Sequence, residues 1–177
     1  GCPMVLGGPL SHVMAAKAVA FAEARQEGFR TYAQQVADNA QSLAQGFLSR
    51  GADLVTGGTD NHIVVVDVMQ KGITGVNAEK ALEDCGIVVN KNRIPFDQKS
   101  PFVTSGIRLG TNGLAIREME PGDMGECVEV IHDVLGHLEQ SGDREYRVDP
   151  AAVARAEAEV ARLCALRPIR TYPPARG

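Results

Sequence analysis

The sequence predicts a mixed fold, α/β in the broad sense: a small α+β layer in which a short sheet packs against helices. Three observations point there. Alanine-rich and amphipathic segments of helical period stand at both ends of the chain. A β-branched run, Ile63 to Val66, stands near the middle. Glycines and prolines separate the segments at the places where helices and strands end.

Pro9 to Glu27 reads as a helix, with Pro9 in the first turn, where its missing N–H costs nothing, and Gly28 as a stop. A second helix is expected from about Thr31 to Arg50, because Tyr32, Val36, Ala40, Leu43 and Phe47 recur at helical spacing before Gly51. Asp53 to Thr56 reads as a short strand. His62 to Val68 reads as a strand buried on both faces. Thr74 is a plausible N-cap for a helix to Cys85, with Gly86 as its stop. A strand over Ile87–Asn90, a loop from Arg93 to Pro101 and a strand from Phe102 to Thr111 follow. Met124, Val128, Ile131, Leu135 and Leu138 share one face of a helix expected from Pro121 to Glu139. Asp149 and Pro150 are an N-cap and first-turn pair for a last helix to Leu166, before a proline-rich, extended tail.

Composition narrows the function classes. The chain has 177 residues, 44% hydrophobic and 23% charged, with a formal net charge of -4. That suits a globular domain with its own core. It does not suit nonspecific nucleic-acid binding, which needs a clustered cationic face; Lys91, Arg93 and Lys99, the densest basic stretch, are interrupted by Pro95 and Asp97. No apolar run reaches the roughly 18 residues of a membrane span. Cys2, Cys85, Cys127 and Cys164 lack the spacing of a zinc site and read as free thiols of a cytoplasmic protein; no metal is expected.

Three segments carry chemistry. Gly7 and Gly8, ahead of Pro9, can expose backbone N–H groups to an anion such as a phosphate, or simply form a helix-entry turn. Gly57 to His62 reads as a tight turn in which Asp60 or Asn61 bonds its own backbone, and His62 is equally consistent with a structural or a catalytic role. Arg108 lies between Ile107 and Leu109 on an apolar strand. A guanidinium there is costly unless it meets an anion, so a buried ion pair and a clamp for a substrate carboxylate are both open.

Taken together, GGPLSHVMAAKAVAF, YAQQVADNAQSLA, GGTDNHIVVVDV and GIVVNKNRIPFDQKSPFVTSGIRLGT, with the terminal helix and its apolar-plus-proline tail, resemble the serine hydroxymethyltransferase family. The resemblance runs in order over nearly the whole chain and places it as the last two-fifths of a family member, so the chain reads as a fragment. It implies the C-terminal part of a fold-type I pyridoxal 5'-phosphate transferase. Residues 1–50 would be the end of the large cofactor-binding domain and connecting helices, 51–168 the C-terminal small domain, and 169–177 an extended tail. The implied reaction is reversible conversion of serine and tetrahydrofolate to glycine and 5,10-methylenetetrahydrofolate, in a homodimer or homotetramer. By the same resemblance Arg108 grips the amino-acid carboxylate, and Gly7 and Gly8 approach the cofactor phosphate from the neighbouring subunit. Asn92 bonds the folate pterin, and Ser100, Pro101 and Phe102 lie beside it. His62 falls in the family's TDNH turn, with no chemical step assigned.

The family's cofactor-binding lysine follows a run of threonines. None of Lys17, Lys71, Lys80, Lys91 and Lys99 does, so the chain contains no catalytic lysine and is expected to be inactive alone. Other departures are Cys2 for a usual phenylalanine, Leu6 for glutamine, Asn112-Gly113 for Pro-Ala, and Glu118 for glycine. These keep open a folate-independent threonine aldolase or transaldolase of similar fold. A non-catalytic dimerisation module is the alternative from another class.

Overall fold

The computed structural model describes residues 7–169 and divides the chain into two compact units, 1–34 and 35–177. Cys2, Leu6 and most of the expected tail lie outside the described residues. In the first unit, α1 (Ser11–Ala24) is alanine-rich and buries no residue. The next helix, α2 (Glu27–Ser49), begins in the first unit and ends in the second. Its amphipathic pattern is real: Val36, Ala40, Leu43 and Phe47 are buried, joined by Asn39 and Ala44.

The second unit is built on a four-stranded antiparallel sheet in the order β1-β2-β4-β3, from β1 (Asp53–Leu54), β2 (Ile63–Asp67), β3 (Asn90–Asn92) and β4 (Gly106–Gly110). Val64, Val66, Ile107 and Leu109 turn to one face and are buried. They share a core with Leu43 and Phe47 of α2, Ala78 and Leu82 of α3 (Gly75–Asp84), and Met124, Val128, Ile131 and Val134 of α5 (Met124–Gly136). Ala152 and Ala156 of α6 (Pro150–Leu166) are also buried. Both expected caps form: Thr74 Oγ1 accepts the Asn77 N–H, and Asp149 Oδ1 accepts that of Ala151.

Several boundaries differ from expectation. The strand expected over Ile87–Asn90 is displaced to Asn90–Asn92, because Ile87 is still tied by its N–H to the Leu82 carbonyl at the end of α3. β2 alternates, with Val64 and Val66 buried but Ile63, Val65 and Asp67 only half-buried, so it is covered on one face rather than both. β4 begins at Gly106 rather than Phe102, since Val103 and Thr104 both donate to the Ser100 carbonyl and form a turn. The helix expected to reach Glu139 stops at Gly136, where the chain enters a hairpin of β5 (Leu138–Gly142) and β6 (Glu145–Val148). A short helix, α4 (Asn112–Ile116), follows β4.

The hairpin anchors the start of α3. Gln140 Oε1 accepts the Thr74 N–H at 2.8 Å and the Asn77 Nδ2–H at 2.9 Å, and Thr74 Oγ1 donates to the Asp143 carbonyl. From the other side, Gly75 and Val76 donate their N–H groups to the carbonyls of Thr104 and Val103. Gly75 permits that approach: a Cβ there would lie 2.1 Å from Thr104 Oγ1 and 2.5 Å from the Gly106 carbonyl oxygen, which cannot move without breaking β4. At Gly125 a Cβ meets nothing within 4 Å.

Gly75→Ala is therefore expected to destabilise the protein by about 1–3 kcal/mol in denaturant unfolding, while Gly125→Ala on α5 is neutral or stabilising by up to about 1 kcal/mol. A second prediction concerns alkali. Burial, with the Asp84 carboxylate that accepts the Tyr146 hydroxyl at 2.6 Å, pushes that phenol up to about 12. A folded value above the ordinary 10 means that the neutral phenol's contribution is complete below pH 10 and is lost as the pH rises to about 12. Tyr146→Phe has no such proton, so its stability should fall less steeply over that window.

Candidate functional site

The alternation of β4 decides where Arg108 goes. Ile107 and Leu109 point into the core, so the residue between them points out. Arg108 is exposed, and its guanidinium meets no carboxylate among the described residues. Among the described residues it donates to Asn90 Oδ1 alone, at 3.3 Å, across the β3–β4 ladder. The buried ion pair left open by the sequence is therefore excluded. An unpaired fork of donors on an open sheet face is free to receive an anion.

Register fixes what shares that face. Asn90 lies opposite Arg108, Asn92 opposite Gly106, Val65 opposite Arg108 on the other side, and Asp67 opposite Gly106. Directly opposed residues in antiparallel strands present side chains to the same face. Arg108 and Asn92 are thereby brought onto one surface, two positions apart along the ladder. The Asn92 amide is half-buried and donates to the Arg93 carbonyl at 2.7 Å, leaving its side-chain oxygen for another donor. On the opposite face Lys91 pairs with Glu79 of α3 at 3.0 Å, and its N–H is accepted by the same carboxylate, which fastens β3 to the helix.

The segment Ser100–Phe102 forms the turn that leads into β4. Ser100 and Pro101 are exposed, and Phe102 keeps 72% of its surface open to solvent. Phe96 of the same loop is exposed as well, at 94%, so the loop presents two aromatic rings to solvent. Asp97 organises this loop, a role the sequence reading missed. Its Oδ1 accepts the Ser105 hydroxyl at 2.6 Å and the Lys99 N–H at 2.9 Å; its Oδ2 accepts the N–H groups of Ser105 at 3.0 Å and Ile94 at 3.3 Å. Burial favours its neutral form, but the hydrogen bonds from Ser105, Lys99 and Ile94 outweigh that and hold the carboxyl below its ordinary value. The signal available in the sequence was an aspartate two residues after a proline and before a run of polar residues, the pattern of a side chain capping its own loop.

Gly7 and Gly8 belong to the first unit. Both are exposed, a Cβ on either would meet nothing within 4 Å among the described residues, and Gly7 has φ +67°, which favours glycine. Among the described residues no side chain caps the first turn of α1, and uncapped N–H groups at a helix start can meet an external acceptor. These features fit a phosphate-bearing cofactor. His62 is exposed; its carbonyl accepts the Thr111 N–H, and Asn61 Oδ1 accepts the Ile63 N–H at 2.8 Å, the turn expected from the sequence. Among the described residues there is no group of three or more His, Cys, Asp or Glu placed to hold a metal, and no helix long and apolar enough to cross a membrane.

The serine hydroxymethyltransferase family model matches residues 2–131. The serine hydroxymethyltransferase of Mycolicibacterium smegmatis is 53% identical over 175 residues, which is 98% of this chain and 35% of that protein. The enzyme of the same name from Salinispora tropica is 51% identical over 162 residues, 88% of this chain and 34% of the relative. That from Treponema pallidum is 48% identical over 160 residues, 90% and 27% respectively. The chain spans no more than about a third of the length of these curated relatives. Matched by the family over most of its residues and half-identical to such relatives along nearly its whole length, the chain belongs to the serine hydroxymethyltransferase family.

Proposed function

We propose that this chain supplies the amino-acid carboxylate site and the folate-facing surface of a pyridoxal phosphate-dependent serine hydroxymethyltransferase. The observation that carries the reading is the unpaired, outward-facing guanidinium of Arg108. Among the described residues other arginines also lack a carboxylate partner; Arg108 is distinguished by its place on a strand bonded on both sides, to β2 and β3, with Asn92 on the same face. The guanidinium is held in place by a neutral amide, which orients it without neutralising it.

The residues then divide the work. Arg108 binds the carboxylate of serine or glycine through two parallel N–H donors, which fixes the orientation of the α-carbon. Asn92, on the same face, would hydrogen-bond the pterin of tetrahydrofolate, and Ser100, Pro101 and Phe102 would line the pterin's side, with the Phe102 ring excluding water. Gly7 and Gly8 would receive the cofactor phosphate with backbone N–H groups, from a neighbouring subunit in a homodimer or homotetramer. Pyridoxal 5'-phosphate, when bound, supplies the electron sink that lets the hydroxymethyl group of serine leave for the folate. The lysine that joins the cofactor to the protein belongs to a part of the family's sequence not represented here. A cytoplasmic location accords with the free thiols of Cys85, Cys127 and Cys164.

Two outcomes test this. In the full-length protein containing this chain, Arg108→Ala should leave unfolding stability within about 0.5 kcal/mol, because the side chain is exposed. It should nevertheless lower kcat/KM for serine by roughly a hundredfold, about 3 kcal/mol of lost charge-assisted bonding. Arg108→Lys, with no fork of donors, should recover only a small part. Steady-state kinetics with serine and tetrahydrofolate reads this directly, and unchanged kcat/KM in Arg108→Ala would refute the assignment. The 177-residue chain purified alone should show no serine-dependent turnover and no visible absorbance from covalently bound cofactor.

A further inference from the structure

We propose that Asp97 is a positioning residue for the second substrate: its carboxylate holds the Ser100–Phe102 turn in the one shape that presents the turn to tetrahydrofolate. The inference rests on the folate-facing role proposed above. It adds a residue that would touch neither substrate.

The loop between β3 and β4 is under backbone strain at both ends. Phe96 has φ +57° and Thr104 has φ +61°, a conformation unfavourable for an aromatic residue and more so for a β-branched one. Thr104 is also buried. Such conformations persist only where the surroundings over-determine them. Here Asp97 does so from inside the loop. It receives four hydrogen bonds from three residues, Ile94 before it and Lys99 and Ser105 after it, so its two oxygens span the turn and clamp both of its ends. The start of α3 secures the far side through the Gly75 N–H on the Thr104 carbonyl.

A second tie is much weaker. Lys99 Nζ lies 2.7 Å from Asp143 Oδ1 in the β5–β6 hairpin, but the two side chains are 31% and 54% exposed. Exposed ion pairs contribute little, whereas hydrogen bonds to a charged, half-buried acceptor are the strong ones. The carboxylate of Asp97, not the ion pair, is therefore the element on which the turn depends. Arg108 sits beyond the turn, in a strand secured on both sides by β2 and β3, and does not need the loop to keep its place.

Substituting Asp97→Asn keeps the size but removes the charge and, in either orientation, turns the amide NH2 against at least one N–H donor. In the full-length protein this should raise KM for tetrahydrofolate by about tenfold or more, the equivalent of one or two charge-assisted bonds. KM for serine should stay within about twofold, because Arg108 is unaffected. Ser105→Ala removes only the hydroxyl donor at 2.6 Å and should shift the folate KM in the same direction, by about threefold. It also serves as the test should Asp97→Asn fail to fold. Asp143→Ala, which breaks the exposed ion pair alone, should change neither KM. Both KM values rising together in Asp97→Asn and Ser105→Ala would make Asp97 a general structural residue and overturn the proposal, as would a folate KM unchanged in folded Asp97→Asn, or in Ser105→Ala where that variant does not fold, when the wild-type protein saturates with tetrahydrofolate. A wild-type protein that turns over serine without saturating in tetrahydrofolate would overturn the folate role itself, and this inference with it.

Discussion

The alternation of side chains along β4 is the constraint on which the molecule depends. Five residues, Gly106–Gly110, form the strand bonded on both sides, to β2 and to β3. Ile107 is fully buried and Leu109 nearly so. Exchanging their face for that of Arg108 would expose two large apolar groups and bury an unpaired cation, a cost of several kcal/mol in each direction. The core thus sets the direction of the guanidinium as firmly as any contact the guanidinium makes itself. The apolar neighbours that made an arginine look out of place in the sequence are what hold it out in solvent.

The remaining scaffold fixes the edges of that face. On the core side, Glu79 of α3 holds both the backbone and the side chain of Lys91, which keeps β3 short and in register against β4. Gly75 lets the same helix dock its N-terminus on the carbonyls that precede β4. The β5–β6 hairpin closes behind it through Gln140 and Asn77. Each polar link lies near a buried apolar layer, where an unmade bond is costly. The loop from Arg93 to Ser105 therefore departs from a rigid base and returns to one, which is the setting a binding loop needs.

Much of this was legible in the sequence, for identifiable reasons. The second and last long helices announce themselves by period and by caps such as Asp149-Pro150, because amphipathic spacing over many residues leaves little room for another structure. The β5–β6 hairpin was not legible: Leu138 continues the apolar spacing of α5, and only the tertiary bonds of Gln140 and Tyr146 to α3 and its end reveal a separate element. The Ser100–Thr104 turn was read as strand because Phe102, Val103 and Thr104 favour strands, yet a left-handed Thr104 is imposed by Asp97 and Gly75 from a distance. Asn92, the Ser100–Phe102 segment and the role proposed for Arg108 come from the resemblance; spacing alone left the partner of Arg108 open. The register of β3 against β4 supplies what was missing, one surface shared by Arg108 and Asn92.

The central claim is that the Arg108 guanidinium is reserved for the acid group of an amino acid. A crystal structure of the full-length protein with cofactor and glycine tests it most directly. The account predicts both oxygens of the glycine carboxylate on the Arg108 fork at about 2.7–2.9 Å, with Asn90 still supporting the guanidinium from β3. A glycine carboxylate bound to some other cation, with Arg108 left facing solvent, would contradict it.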